Sequence, residues 1–425
     1  MEVGYSHELA LFETPYTDYG VQSRTFVEYQ PTVPVSASEA LEFHHSGNTS
    51  DYVDLSQTTL HLKIKIAKKD GTKIIKTNNV CVVNLILQSL WRQIDLILQN
   101  QLVSKDINTH YAYKAYIDVL SRSRVDAENF ILPAQLCYRD TAGTMDGPPF
   151  AYEEQEINGG ATERYEFTSS GEDVELIGPL YIDLAQQKRL ILNGVPIHLK
   201  LWPNSDAFRL MSFGAETYKI EIVDAKLNMC LVKLFPDVLL GHAAAIKNAP
   251  AVYNYERSHM QSYQISKNSY QFIQDNLFQG VTPMSVIIGI TTSKAFSGDV
   301  SRNPFNFAHH NVKSIAFYLD GQSVPHSKPL QFDYKKNNFI EGYISLHDNN
   351  DDGLKITRTE YPNGFAFYRF NIDPRYTKSL ALPNRRALSR IEIIFNTPTT
   401  EPLTAILYGT IPAQMQIDEA RNVMI

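Results

Sequence analysis

Leu60-His61-Leu62-Lys63-Ile64-Lys65-Ile66 places an apolar residue at every second position. In an extended chain successive side chains point to opposite faces, so this stretch reads as a strand with one face in a core and His61, Lys63 and Lys65 on the other. The same period of two recurs at Ile94 to Leu98, Ile197 to Leu201, Ile220 to Leu234, Val286 to Thr291, Ile315 to Leu319, Phe365 to Ile372, Ile391 to Phe395 and Leu403 to Tyr408. Turn signals punctuate them, including Asn193-Gly194, Asp320-Gly321 and Asn363-Gly364. Many short strands with such turns predict an all-β protein built of sandwiches.

Three stretches break this period. Val83, Leu87, Leu90, Trp91 and Ile94 form the stripe of a short helix running into the next strand, and Tyr111 to Arg122 is a second candidate. Pro236-Asp237 opens a third, with Val238, Leu239, His242, Ala243 and Ile246 on one side and Pro250 beyond its end. This third helix reads as a link between two β domains. An internal repeat supports that division. Ile94-Asp95-Leu96-Ile97-Leu98-Gln99-Asn100-Gln101-Leu102-Val103 aligns with Ile315-Ala316-Phe317-Tyr318-Leu319-Asp320-Gly321-Gln322-Ser323-Val324 at an offset of 221. Ile182-Asp183 followed by Leu190 aligns with Ile372-Asp373 followed by Leu380 at an offset of 190. A strand follows in both copies, so a duplicated domain of similar topology is the economical account.

At 425 residues the chain has room for two large all-β domains. With 43% hydrophobic, 11% aromatic and 20% charged residues it is neither disordered nor a coiled coil. Lys plus Arg is 39 and Asp plus Glu is 46, a net charge of -7 that leaves no basic surplus for phosphates. Lys63, Lys65, Lys68, Lys69, Lys73 and Lys76 do cluster, with Asp70-Gly71 between the arms of a hairpin, and read as its solvated face. Cys81, Cys137 and Cys230 are too sparse for a disulfide scaffold and fit a reducing compartment. The first basic residue is Arg24 and no apolar run approaches the roughly 18 residues of a membrane span. The expectation is a soluble protein made inside the cell, in which the sequon Asn48-Thr49-Ser50 is a polar turn.

Two segments are too long for hairpin turns and read as surface loops: Arg139 to Arg164, with Gly143, Gly147, Pro148, Pro149, Gly159 and Gly160, and His347 to Gly364, with Asn349, Asn350, Asp351, Asp352 and Gly353. Residues 1 to 35 carry Tyr5, Tyr16, Tyr19 and Tyr29 with Pro15, Pro31 and Pro34 but no sustained periodicity, which suggests an extended arm. Its acids are Glu2, Glu8, Glu13, Asp18 and Glu28 against Arg24, a net of -4 that suits protein contacts better than DNA.

Chemistry is scarce. His44-His45 and His309-His310 are adjacent pairs whose side chains diverge on a strand, so neither pair alone chelates a metal; a site assembled from both is the one metal arrangement they allow. His347-Asp348 with Asp351 and Asp352 lacks EF-hand spacing and reads as a solvated acidic loop. There is no Gly-x-Ser-x-Gly elbow, Walker loop or Gly-x-Gly-x-x-Gly fingerprint. Glycosidase carboxylates leave no spacing to read and stay open. No catalytic, cofactor-binding or metal residue is assigned.

One stretch is specific. Asn276-Leu277-Phe278-Gln279-Gly280, Pro283, Val286-Ile287-Ile288-Gly289, Lys294-Ala295-Phe296-Ser297-Gly298, Asn303-Pro304-Phe305-Asn306-Phe307 and Tyr318-Leu319-Asp320-Gly321-Gln322-Ser323-Val324-Pro325 together resemble the major capsid proteins of Polinton (Maverick) elements and adintoviruses. Tyr52-Val53-Asp54-Leu55, Gln88-Ser89-Leu90-Trp91-Arg92-Gln93-Ile94-Asp95, Tyr113-Lys114-Ala115-Tyr116-Ile117 and Leu192-Asn193-Gly194-Val195 are similar to that family in the same order, so the likeness runs from about Tyr52 to Phe332.

The resemblance implies a double jelly roll: two eight-stranded antiparallel sandwiches with a few short helices. Three chains would form a pseudo-hexagonal capsomer, the capsomers would tile an icosahedral shell with a penton or minor capsid protein, and no enzyme activity or cofactor would be needed. On this basis the chain divides into an arm (1–35), a first jelly roll (36–235), a helical linker (236–257) and a second jelly roll with a C-terminal tail (258–425). The two long loops are expected at one end of the molecule, and Phe305 and Phe307 in a core. An enzyme or carbohydrate-binding protein on two jelly rolls is the alternative, marked by a concave polar pocket with converging acids or histidines.

Overall fold

The computed structural model describes residues 20–36, 38–47, 50–122, 127–150, 156–347, 356–373 and 386–425. In the Leu60 stretch, Leu60, Leu62, Ile64 and Ile66 are buried and His61, Lys63 and Lys65 half-exposed, so the alternation sets one face inward. This strand pairs with its neighbours to form the first sandwich, made of β1 (Val21–Tyr29), β2 (Leu41–His45), β3 (Asp51–Lys68), β4 (Trp91–Leu98), β5 (Gln101–Leu102), β6 (Val174–Pro179), β7 (Ile197–Pro203) and β8 (Tyr218–Leu234). Its two antiparallel sheets run β1-β8-β3-β6 and β2-β7-β4-β5. They face each other: Leu96 and Leu199 of one and Leu227 and Met229 of the other line a shared void of about 20 Å³.

The second sandwich comprises β9 (Ala251–Ile265), β10 (Gln271–Leu277), β11 (Ser285–Thr292), β12 (Val312–Leu319), β13 (Gln322–Val324), β14 (Phe367–Asn371), β15 (Ser389–Phe395) and β16 (Leu403–Ile417). Its sheets run β9-β16-β11-β14 and β10-β15-β12-β13. Counted from the start of each half, both halves read 1-8-3-6 and 2-7-4-5. The fold is therefore one jelly roll made twice. The sequence repeat falls on equivalent elements, with Ile94 to Val103 and Ile315 to Val324 covering the hairpins of the fourth and fifth strands. Ile197 to Leu201 and Ile391 to Phe395 lie in the seventh strands, β7 and β15. Asp320 and Gly321, both at positive φ, make the tight turn expected between β12 and β13.

Strand β8 keeps its apolar face inward over 17 residues by shifting phase twice. Tyr218, Ile220 and Ile222 point in, then Ala225, Leu227 and Met229, then Cys230, Val232 and Leu234. The changes of phase coincide with register shifts against β3 between Ile222 and Asp224 and between Asn228 and Cys230.

The helix expected near Val83 is only α1 (Ile86–Ser89), because Trp91 and Ile94 already belong to β4. The second, α2 (Tyr111–Arg122), has the expected bounds and is buried from Tyr111 to Val119 on every side. The third, after α3 (Gly159–Thr168), is α4 (Pro236–Ala245), none of whose residues is buried; Ala243 is exposed, and His242, also exposed, touches the first sandwich through Tyr52, whose hydroxyl lies 2.9 Å from its Nδ1. β9 begins at Ala251, so the last residues of the linker read over 236–257 are strand.

Of the arm read over residues 1 to 35, residues 1–19 lie outside the described residues, whereas Val21–Tyr29 is β1, paired along its length with β8. Removing residues 1 to 35 would therefore strip a strand from the first sandwich. β1 shows no alternation in sequence because Gln22 to Phe26 are exposed on both faces. The loop at Arg139 to Arg164 departs from expectation too: residues 151–155 are outside the described residues, but Asp140, Met145, Asn158 and Arg164 are buried and α3 begins at Gly159. Of the loop at His347 to Gly364, residues 348–355 lie outside the described residues and Tyr361 is fully buried. Among the described residues no helix is long and apolar enough to cross a membrane.

Candidate functional site at the seam between the sandwiches

The residues singled out for metal or phosphate chemistry do not come together. His45 is buried, with Nδ1 2.7 Å from the Tyr29 hydroxyl, and His44 is exposed. In the second sandwich His309 stacks on Tyr334 at 4.0 Å and His310, next to it, is half-buried. Asp348, Asp351 and Asp352 lie outside the described residues. Among the described residues no three His, Cys, Asp or Glu side chains are grouped to hold a metal ion. Three of the six clustered lysines are paired with acids: Lys65 with Glu221 at 3.1 Å, Lys68 with Glu216 at 2.8 Å, and Lys73 with Glu172. Such exposed pairs add little stability, but they balance the charge a phosphate backbone would need. The three cysteines are free, and burial pushes the Cys81 and Cys137 thiols up to about 12, far from thiolate chemistry.

What the fold does bring together, from distant parts of the chain, is the seam between the sandwiches. Helix α2 stands in it. Lys114, wholly buried, places Nζ 2.7 Å from Asp118, 2.9 Å from Asp183 and 2.6 Å from the Tyr181 carbonyl oxygen. The second sandwich completes the network. Asp183 accepts from the Ser258 amide and hydroxyl, both at 2.7 Å, and Asp118 accepts from the Tyr408 hydroxyl at 2.8 Å. A charge trio with no water access needs all of these donors, because a buried ion without partners costs several kcal/mol.

A second fastener joins the Arg139 loop to the Asn303 block. Arg164, also wholly buried, donates to Asp140 at 2.7 Å and to the Val82 and Tyr138 carbonyl oxygens at 3.0 Å. Asn303 donates to the other Asp140 oxygen at 2.9 Å, and its amide donates to Asp146 at 2.6 Å. Phe305 and Phe307 are fully buried here, Phe305 stacking on Tyr116 of α2 at 4.3 Å and Phe307 packing on Phe367 at 4.4 Å. The block is a structural anchor. The two long loops also meet: the Gly143 amide donates to the Asn363 carbonyl oxygen at 2.8 Å, and Arg139 lies 3.4 Å from Glu360.

A hollow of about 250 Å³ beside this seam is lined by Tyr116, Val119, Leu132, Cys137, Tyr138 and Phe365 among others. Its two charged residues, Glu128 and Arg139, pair with each other at 2.8 Å. They do not form the converging acids or histidines that the enzyme alternative calls for. The arrangement is suited to holding two sandwiches in one rigid body.

Acid should loosen that body. Burial, and His309 next to it, hold His310 down at about 4 against its ordinary 6.5. His45, His110, His259 and His309 are lowered in the same direction, first by burial. The unfolded chain takes up these protons first, so the stability is complete above pH 6.5 and is lost as pH falls toward 4. For His310 alone the loss is about 3 kcal/mol. Thermal midpoints measured between pH 7 and pH 4.5 should fall, and fall less in His310→Gln; an unchanged slope in that variant would remove His310 from the account.

No family model matches the chain. A Caenorhabditis elegans protein, "Uncharacterized protein F54H12.2", is 24% identical over 359 residues, covering 78% of this chain and 80% of its own length. Among solved structures, a chain in the cryo-EM structure of the Sputnik virophage superposes with a TM-score of 0.67 at 10% identity, over 100% of this chain and 92% of that one. The mavirus major capsid protein superposes at 0.55 with 9% identity, over 100% of this chain and 94% of that one. Identities this low speak for fold alone, and on fold the likeness extends over the whole chain: it is a double jelly roll, the architecture it shares with the mavirus major capsid protein.

Proposed function

We propose that this chain is a viral major capsid protein, of the kind found in Polinton (Maverick) elements and adintoviruses. Three copies form a pseudo-hexagonal capsomer, and capsomers tile an icosahedral shell. The observation that carries this reading is the locked pair of jelly rolls of identical topology. A rigid chain with two like sandwiches gives a trimer six similar sides, which a closed lattice can use repeatedly. The motifs from Asn276 to Pro325 and the fold shared with the mavirus major capsid protein support the same assignment. Its partners are copies of itself and a penton or minor capsid protein, and its place is the virion.

The purified protein should run as a trimer in size-exclusion chromatography with mass detection and show ring-like particles by electron microscopy. Capsomer contacts of an obligate kind bury more than roughly 2,000 Å². A stable monomer at micromolar concentration without rings would overturn the proposal.

A further inference from the structure

The first strand of each jelly roll lies at the margin of its sheet, yet the two margins are treated differently. In the second sandwich β9 is sealed by the first. The Met260 amide donates to the Asp106 carbonyl oxygen at 3.1 Å, the Ser258 amide to Asp183 at 2.7 Å, and Arg257 pairs with Asp106 at 3.0 Å. No residue of β9 before Gln264 is exposed. In the first sandwich the equivalent strand, β1, has β8 as its one sheet neighbour among the described residues. Gln22 to Phe26 and Glu28 are exposed, Phe26 to 62%. An open strand of nine residues presents unpaired amides and carbonyls that recruit another chain.

The duplication indicates which chain. Asp106 follows the fifth strand of the first jelly roll, and Asp183 lies between its sixth and seventh strands. At the offset of 221 the counterpart of Asp106 is Ser327, within an exposed run from Pro325 to Lys328. At the offset of 190 the counterpart of Asp183 is Asp373. We propose that β1 receives the second sandwich of another copy of this chain, through its Pro325 to Lys328 segment and the Ile372-Asp373 pair that follows β14. The contact between copies thereby repeats the contact already made within each chain. A head-to-tail step of this kind closes into a ring when its rotation divides the circle. The inference rests on the shell-subunit reading and specifies the surface that reading leaves open.

Phe26→Asp should weaken assembly at least about 30-fold, read as the concentration at which the oligomer dissociates in mass photometry, with the thermal midpoint of the chain retained. Ile273→Asp, on the exposed face of β10, should leave assembly unchanged. The pair Thr25→Cys with Ser327→Cys, treated with an added oxidant, should give disulfide-linked oligomers on non-reducing gels, and this decides the matter if Phe26→Asp fails to fold. A wild-type oligomer together with an assembling Phe26→Asp variant and no cross-link would overturn the β1 surface while leaving the capsid reading standing. A wild-type monomer that forms no particles would overturn both.

Discussion

Lys114→Met should destabilise the chain by about 3–5 kcal/mol, measured by urea titration, and should split one unfolding transition into two. Asp118 and Asp183 would lose the cation they share, with side chains 1% and 8% exposed and no water to replace it. The remaining side-chain donors are neutral, Gln186 from the first sandwich and Ser258 and Tyr408 from the second, so the two acids of the first sandwich are left as stranded charges beneath the second and the joint between the halves weakens. Lys114→Met combined with Asp118→Asn and Asp183→Asn should be milder than Lys114→Met alone, because a fully neutral cluster removes the stranded charges. A single-site loss below about 1 kcal/mol would place the energy of the seam elsewhere.

Phe305→Ala and Phe307→Ala should each cost about 3–5 kcal/mol, as fully buried rings removed from a close-packed core do. Phe305 would leave a cavity against Tyr116 on α2, and Phe307 one against Phe367. The packing there is tight enough that a Cβ placed on Gly289 would come within 2.6 Å of the Phe307 ring. Phe305→Leu should recover part of the loss. If neither alanine variant moves the thermal midpoint, the Asn303 to Phe307 block does not anchor the seam.

The sandwiches were legible wherever one face met the core and the other met water, as at Leu60 to Ile66 and Ile391 to Phe395, because burial then writes a period of two. β1 was not, since exposure on both faces erases the period. β9 was not either, since Ser258 and two tyrosines, Tyr253 and Tyr255, hold its inward positions. The seam was half legible. Lys114 and Asp118 stand four apart in an otherwise apolar helix, a spacing that signals a pair taken from water, and Asp183 sits in the repeated Ile-Asp motif. Arg164 and Asp140 gave no such signal. They lie in a stretch rich in glycine and proline, where backbone groups usually seek water, and only the folded chain supplies the Asn303 amide group that lets them be buried.

The seam also sets a timetable for synthesis. Every strand of the first sandwich has been made by Leu234, but Asp118 receives its hydrogen bond from Tyr408, 290 residues later. Chains emerge N-terminus first and at a few to some tens of residues per second, so the first jelly roll spends many seconds with α2 and its charges lacking their final cover. During that interval the hydrogen bonds from Ser258 and then Tyr408 are still missing, and the halves cannot lock. A nascent or truncated chain therefore lacks the rigid geometry that assembly with other copies would require. Strand β16, the eighth of the second jelly roll, acts as a completion check: only a chain translated past Tyr408 can close the joint and present both jelly rolls in a fixed relation.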